Sequence, residues 1–197
     1  MRKINAALFI TLDGVYEAPG GEETIPAEVR GWSMPYTDEE VGEVISASMA
    51  TSDAMLMGRR TYENFAAFWP NVPEDDPFGH FMNNQTKYVV STTLDKAEWK
   101  NSHLIQGDVA AELNKLKQQP GKDISIVGSG TLARSLIEAD LVDELQLMLC
   151  PVVLGVGQRL FDDTHFTKSM TVLEAKSFSS GMIYLRLQPE KKAHGQK

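Results

Sequence analysis

The stretch ISIVGSGTLARSL, residues 124–136, joins a short apolar run, a Gly-Ser-Gly turn and a helical pattern. The apolar run is β-branched, as in a buried strand, and Leu132, Leu136 and Ile137 follow the turn at helical spacing. A glycine-rich turn between strand and helix leaves backbone N–H groups free at a helix N-terminus, where an anion can bind. Such glycines also occur for geometry alone. The stretch by itself therefore predicts either a phosphate-binding loop or a tight structural turn.

The composition limits the class of protein. With 42% hydrophobic residues, the 197-residue chain can build a full core, and we expect a single domain over residues 1–190 and a frayed tail at 191–197. The net charge of −8 argues against nucleic acid as a main partner, and no apolar run approaches the roughly 20 residues of a membrane span. Because Met-Arg-Lys leads straight into a strand pattern rather than a signal peptide, we expect a cytoplasmic protein.

Cysteine and histidine give no sign of disulfide or metal chemistry. Cys150 is the only cysteine, and its position at the end of an apolar strand predicts a buried, unreactive thiol. The four histidines lack metal-ligand spacing, so we expect no metal site.

Strand and helix patterns alternate along the first two thirds of the chain. The predicted strands are 4–10, 53–57, 87–92 and 124–127, and the predicted helices are 37–49, 108–119 and the run after the Gly-Ser-Gly turn. Thr37 and Glu40 indicate a capping box at the start of the first helix. This alternation predicts an α/β fold with parallel strands at the centre of its sheet.

After Asp140 the pattern changes to strict alternation of apolar and polar residues. Leu145, Leu147 and Leu149 alternate with polar residues, and 183–187 repeats the pattern. Such alternation indicates antiparallel strands with one wetter face, toward the edge of the sheet. We therefore predict a mixed sheet, parallel at its centre and antiparallel in its C-terminal strands.

Two long segments, 14–36 and 68–85, lack either pattern and mix glycine, proline and aromatic residues. Loops of this length in a compact domain are usually binding loops or lids, although simple surface insertions remain an alternative. Exposed aromatic side chains in them would need a ligand or partner to cover them. The aromatic residues concerned are Trp32, Tyr36, Phe78 and Phe81.

Two further strand ends carry groups that suit an anion. In LMGRRTYENF, 56–65, Arg59, Arg60 and Thr61 follow a strand at the start of a helix. In VVSTTL, 89–94, a strand delivers three hydroxyl side chains. Because the carboxyl ends of parallel strands share one edge of a sheet, these sites and the Gly-Ser-Gly turn would together suit a dinucleotide.

Five motifs in order resemble the dihydrofolate-reductase-like superfamily, in particular the C-terminal reductase domain of riboflavin-synthesis enzymes and its free-standing relatives. The motifs are TLDG at 11–14, MGRRTYE at 57–63, VVST at 89–92, IVGSGTLARSLIEADLVDEL at 126–145 and PVVLGVGQRLF at 151–161. The resemblance implies a three-layer fold and an NADPH-dependent oxidoreductase. It would transfer hydride to a small pyrimidine- or pterin-like heterocycle, as in reduction of 5-amino-6-(5-phosphoribosylamino)uracil during riboflavin biosynthesis.

The resemblance also implies site residues. Those that would bind NADPH are Arg59, Thr61, Ser91, Thr92, Gly128, Ser129, Gly130, Thr131 and Leu132. Those that would contact the substrate are Phe9, Asp13, Tyr16, Trp32 and Glu43. On this basis the Gly-Ser-Gly turn is interpreted as a phosphate cradle. The resemblance further implies a homodimer that covers part of the apolar segment 145–161.

One departure and two alternatives bear on this interpretation. The acidic residue that binds the pterin in dihydrofolate reductases aligns with Gly42, so the acid is displaced or absent, and the catalytic residues stay unassigned.

GSGTLA at 128–133 also fits a Rossmann fingerprint, but that motif normally follows a first strand, and here four strand candidates precede it. A non-catalytic nucleotide-binding or sensing module on the same fold is the second functional hypothesis.

Overall fold

The computed structural model describes residues 1–22, 24–162 and 164–191. Its strands are β1 (Ile4–Thr11), β2 (Ser52–Gly58), β3 (Thr86–Val90), β4 (Ser102–Ile105), β5 (Asp123–Val127), β6 (Glu144–Cys150), β7 (Met170–Ser177) and β8 (Ile183–Pro189). Its helices are α1 (Glu39–Ala50), α2 (Arg59–Phe68), α3 (Pro77–Asn84), α4 (Val109–Gln118) and α5 (Gly130–Glu138). Short 3-10 turns lie at Ala27–Val29, Met34–Tyr36 and Trp69–Asn71.

The strands form one sheet in the order β4-β3-β2-β5-β1-β6-β8-β7. Strands β1 to β6 pair in parallel, whereas β8 is antiparallel to β6 and to β7. This confirms the predicted mixed sheet with a parallel centre and antiparallel C-terminal strands. The central strands are mostly apolar on both faces because helices cover both faces of the sheet, which is typical of parallel strands.

Helices cover both faces of the sheet and give three layers. On one face, α4 and α5 pack on residues such as Ile4, Ile126 and Leu145. On the other face, α1 packs on Met148 and Cys150, and α2 and α3 pack over the β2 and β3 end of the sheet. The cleft described below lies on this second face.

The prediction that one face of β6 is exposed to solvent is wrong. Glu144 and Gln146 are as buried as the leucines they alternate with, because β6 lies between β1 and β8 and α1 covers its second face. The solvent-facing edge is instead β7, most of whose residues are exposed. The sequence did not reveal β7, because its polar and apolar residues do not alternate regularly.

Several element bounds also differ from the prediction. Helix α1 begins at Glu39, and its cap is Asp38, whose carboxylate accepts from the Val41 N–H; Thr37 donates to Ser33 instead. The segment 68–85 is not a bare loop, because it contains the Trp69–Asn71 turn and α3. Strand β4 lies in a short run for which we predicted no element.

The single thiol is buried, as predicted. Cys150 is inaccessible to solvent, and this burial raises its pKa to about 12, so the reactive thiolate is scarce at neutral pH. Among the described residues, no helix is long and apolar enough to cross a membrane. Most of the predicted tail, residues 192–197, lies outside the described residues.

Lys87 is a charged side chain buried inside the second face of the sheet. Its Nζ donates to the backbone carbonyls of Asn83, Gln85 and Lys100 at 2.8–3.1 Å and lies 4.1 Å from the centre of the Trp99 ring. The ammonium therefore ties the end of α3 to β3 and to the segment before β4. Removing this ammonium would leave the three carbonyls without their donor, and an unsatisfied polar group away from water destabilises the folded protein.

Replacing Lys87 by methionine is expected to lower the free energy of unfolding by about 2–4 kcal/mol, because three partly buried carbonyls lose their donor. Lys100→Met is the matched control: its ammonium is exposed and donates to Asn84 Oδ1 at 2.8 Å, and the change should stay within about 0.5 kcal/mol. Denaturant titration of both variants measures the difference. Equal stabilities for the two variants would contradict this role.

Lys87 also predicts a pH dependence of stability. Burial, and then the charge of Lys100, lowers the pKa of Lys87 from 10.5 to about 8. Between these values the unfolded chain binds more protons than the folded one, so the contribution of Lys87 to stability rises with pH from about 8 to 10.5. The slope of unfolding free energy against pH in this window should be smaller in Lys87→Met.

Candidate functional site

A cleft of about 950 Å³ opens on the face of the sheet that carries α1 and α2. Its floor comes from β2, β5, β1 and β6, where the register aligns Val127, Ala7 and Gln146 in one row. Helices α1 and α2 form its sides, and the Trp69–Asn71 turn and α3 close one end. The cleft therefore extends from the carboxyl ends of the parallel strands, the usual ligand position in such sheets.

The turns after β2 and β5 are joined by hydrogen bonds at this edge. The Gly58 N–H donates to Ser129 Oγ at 3.0 Å, and the Ser129 N–H and hydroxyl both donate to Thr61 Oγ1, at 3.1 and 2.8 Å. Since Thr61 Oγ1 already accepts two hydrogen bonds, its own hydrogen remains available to a ligand oxygen.

The helices that start at these turns differ from the others at their N-termini. Helices α1, α3 and α4 each have an aspartate cap whose carboxylate accepts a backbone N–H; the caps are Asp38, Asp76 and Asp108. Helices α2 and α5 follow Gly58 and Ser129 and have no side-chain cap. Their first-turn N–H groups are therefore left for an anion.

Backbone geometry explains two residues of the Gly-Ser-Gly turn. Gly128 and Ser129 have φ of +57° and +51°, which places both in the left-handed region. Glycine adopts this conformation without strain, which explains the residue type at position 128. A Cβ on Gly128 would also lie 3.1 Å from the methyl group of Thr61. The turn thus needs glycine at 128 to bring β5 close to the start of α2.

Gly130 is required for a different reason. A Cβ there would lie 2.6–2.7 Å from three atoms of the Tyr16 ring, which packs over the start of α5. The Tyr16 hydroxyl lies 3.1 Å from Thr131 Oγ1 and donates to Gln158 Oε1 at 2.6 Å. The segment after β1 therefore reaches the start of α5 through Tyr16.

Two arginines stand at the start of α2, and both have carboxylate partners. Arg59 contacts both carboxylate oxygens of Glu63 at 3.1 Å, and Arg60 contacts Glu17 at 3.1 Å. Both arginine side chains are about half exposed, so their ion pairs are weak and an anionic ligand can compete for them. Arg59 and Arg60 both line the cleft.

Ser91 and Thr92 lie at the same edge of the sheet but do not line the cleft. The register aligns Val90 with Gly58, so these residues follow β3 beside the start of α2. The Ser91 hydroxyl oxygen accepts from the N–H groups of Thr93 and Leu94, which fixes the local turn. The structure therefore places Ser91 and Thr92 beside the arginines, with Thr92 exposed.

Two of the five predicted substrate residues, Phe9 and Tyr16, line the cleft. Trp32 does not: it is buried in the core under the segment 14–36, and its indole N–H donates to the Glu17 carbonyl at 2.7 Å. Glu43 is on the outer side of α1, where it lines a separate acidic hollow. Neither side chain is in reach of a ligand in the cleft.

Asp13 also lies outside the cleft and ties the turn after β1 to the segment after β6. Its carboxylate accepts from the N–H groups of Leu154 and Gly155 and pairs with Arg159. Burial alone would raise the pKa of Asp13, but the Thr11 hydroxyl and these two N–H groups hold that pKa well below its usual range. Asp13 is therefore a stable anion that connects loops.

The far end of the cleft contains groups that the sequence analysis did not identify. Ser48 of α1 and Gln146 of β6 form a polar pair within an otherwise apolar lining. Gln146 was assigned to a solvent-facing side of its strand, and a serine on a helix carries no motif. The apolar residues that line the same cleft include Ile45, Met49, Met55, Phe65, Trp69 and Phe81.

Residue types that bind metals are not clustered in the part of the chain that the structure describes. Across residues 1–22, 24–162 and 164–191, no group of three or more His, Cys, Asp or Glu side chains is placed to hold a metal ion.

Comparison with known proteins shows what this arrangement is similar to. The family model of the RibD C-terminal domain matches residues 2–184. YyaP, an uncharacterized protein of Bacillus subtilis, is 30% identical over 187 residues, which cover 93% of each chain.

Two solved structures show the same fold at low sequence identity. A candidate riboflavin biosynthesis protein of Shewanella sp. PV-4 superposes with a TM-score of 0.71 at 20% identity, covering 97% of this chain and 100% of that one. Dihydrofolate reductase of Enterococcus faecalis, complexed with NADP(H), has a TM-score of 0.59 at 14% identity over 96% and 97% of the two chains.

Proposed function

The chain belongs to the RibD C-terminal domain family, and from this premise we propose that it is an NADPH-dependent reductase of a small heterocyclic substrate. Kinship with RibD-like and dihydrofolate-reductase-like proteins supports an oxidoreductase. The pyrimidine reduction of riboflavin synthesis is the activity that this kinship suggests first.

One observation carries the cofactor proposal: the two helices without caps, α2 and α5, begin side by side at the mouth of the cleft. Thr61 and Ser129 join them, and each helix N-terminus offers free N–H groups and a positive dipole end to an anion. A pyrophosphate between them would be held by Thr61 and by the backbone of Gly128 to Leu132. In a protein of net charge −8, Arg59 and Arg60 at the start of α2 add positive charge to the lining of the cleft at this place.

The chain's contribution to catalysis would be positioning and the exclusion of water. NADPH supplies a hydride, which needs an electrophilic C=N or C=O carbon held close and in line. The floor of the cleft at Ala7 and Val127 is apolar, and Phe9 and Ile45, which also line the cleft, would exclude water. An acidic side chain is not required for this role, which agrees with Gly42 standing where dihydrofolate reductases have their carboxylate.

The proposal is tested by titrating the protein with NADPH and then following NADPH absorbance with pterins, quinones and pyrimidines. Turnover of any compound supports the reductase. Tight NADPH binding without turnover on the whole panel supports the alternative, a nucleotide-sensing module. Failure to bind NADPH would contradict both.

We further propose that the protein is a homodimer, and that the segment after β6 contributes to the interface. Although β6 itself is central, Val153 is 67% exposed, and Val156 and Phe161 also expose apolar surface. Light scattering at micromolar concentration is expected to give about twice the 21.8 kDa of one chain. Val153→Lys should shift the mass toward one chain.

The control for the dimer is Val172→Lys on the exposed edge strand β7, where Val172 is 60% exposed. This variant should remain dimeric. A wild-type mass of 21.8 kDa, or a dimer broken by Val172→Lys and not by Val153→Lys, would contradict the proposed interface.

A further inference from the structure

The charges around the cleft are confined to one part of it. Among the described residues that line it, the only lysines or arginines are Arg59 and Arg60, both in the first turn of α2. The two glutamates of the lining, Glu17 and Glu22, belong to the segment after β1. A phosphate or carboxylate on a substrate would therefore meet no cation beyond the start of α2.

The end of the cleft opposite these arginines is built from aromatic and sulfur-containing side chains. Trp69 packs edge-on against Phe65 at 6.2 Å and tilted against Phe78 at 5.2 Å, and all three side chains line the cleft. Met49 of α1 and Met82 of α3 complete this wall. Such a surface binds a flat apolar ring well and removes water from any charge placed on it.

Elsewhere in the lining of the same cleft, a chain of hydrogen bonds fixes the orientation of the Gln146 amide. Gln146 Nε2 donates to Glu144 Oε1 at 2.9 Å, and Arg186 pairs with the other oxygen of Glu144 at 3.3 Å. Because a carboxylate only accepts hydrogen bonds, the amide nitrogen of Gln146 must face Glu144. Gln146 Oε1 therefore faces α1, where it accepts from Ser48 Oγ at 2.5 Å.

This fixed orientation leaves one donor and one acceptor beside each other. Ser48 uses its hydrogen on Gln146, so its oxygen can accept a hydrogen bond from a ligand. The Gln146 nitrogen has a second hydrogen, with no acceptor in the hydrogen bonds of the described residues. A neutral acceptor and a neutral donor side by side match the N–H and C=O of a cyclic amide.

We infer that the substrate of this enzyme is an uncharged, unphosphorylated planar ring with a lactam edge, which Ser48 and Gln146 read while the aromatic wall packs on its apolar part. This inference rests on the proposed reductase function and narrows it. It argues against a ribosyl phosphate substrate, because that phosphate would be buried without a partner. Ser48 and Gln146 are then specificity-determining residues.

The experiment compares three probes by isothermal titration calorimetry on the full chain at neutral pH, with and without NADP⁺. Lumazine is a neutral bicyclic ring with lactam edges, 1,3-dimethyllumazine lacks the ring N–H donors, and uridine 5′-monophosphate carries a ribose phosphate. Lumazine is expected to bind at least about 10-fold more tightly than either of the other probes. The dimethyl derivative would lose a hydrogen bond, and the nucleotide would have to remove its phosphate charge from water.

Variants test whether these residues cause the preference. Ser48→Ala and Gln146→Met should each lower the affinity for lumazine to that for its dimethyl derivative, and should leave the affinity for NADPH unchanged. Glu43→Gln, on the outer side of α1, is the control and should bind as the wild type does.

Three results with the wild type would overturn the inference: no lumazine binding in either condition, equal binding of lumazine and its dimethyl derivative, or tightest binding of the nucleotide. Loss of lumazine preference in Glu43→Gln would also overturn it. Failure of the proposed reductase function would be a separate result: NADPH would either not bind or not be oxidised. Probe binding does not depend on turnover.

Discussion

Arg59→Ala is expected to weaken NADPH binding by roughly 1.5–3 kcal/mol, or about 10- to 150-fold in Kd, and to change NADH binding little. Only NADPH carries the 2′-phosphate, and Arg59 stands at the start of α2, beside the end of β3 that delivers Ser91. Its bonds to Glu63 are half exposed, so a dianionic phosphate can displace the carboxylate and form the stronger contact.

The control for Arg59 removes the same charge outside the cleft. Arg134 on α5 donates to the carbonyl of Asp162, and Arg134→Ala should leave both cofactors bound as in the wild type. Titration of each variant with NADPH and NADH, at one fixed salt concentration, gives the four affinities needed. Equal losses for the two cofactors in Arg59→Ala would show that this guanidinium does not distinguish them.

Gly130→Val is expected to abolish measurable NADPH binding and to leave a folded protein. The new side chain would overlap the Tyr16 ring, so Tyr16 must leave Thr131 and Gln158, and the valine would block approach to the free N–H groups of α5. Gly130 is buried, so the variant should also lose about 1–3 kcal/mol of stability through overpacking.

A double variant separates the two effects of this valine. Gly130→Val with Tyr16→Ala removes the overlap, so its melting temperature should recover relative to Gly130→Val alone, whereas NADPH binding should stay lost. Tyr16→Ala alone is the control for the missing ring. A Gly130→Val protein that melts early yet binds NADPH normally would make the turn a structural one.

The parts of the fold that could be predicted from the sequence are those that local patterns encode. Ile124 and Ile126 are buried, and Ser125 and Val127 on the other face are half-buried, so the β-branched composition of this run indicates a central parallel strand. The positive φ of Gly128 belongs to the turn itself. The motif around Arg59 and Thr61 could likewise be placed at a strand-to-helix turn, because strand, glycine and helix are adjacent along the chain.

Tertiary structure decided which side of each element is buried and which polar groups meet. Pairing with β8 and cover by α1 turned Glu144 and Gln146 inward, although their alternation alone indicated a wet face. Ser48 meets Gln146 across 98 positions of sequence, Asp13 meets Gly155 across 142, and no local pattern records either contact. Distant chain segments set these neighbours, because burial and hydrogen bonding depend on what packs nearby and not on the residues adjacent in sequence.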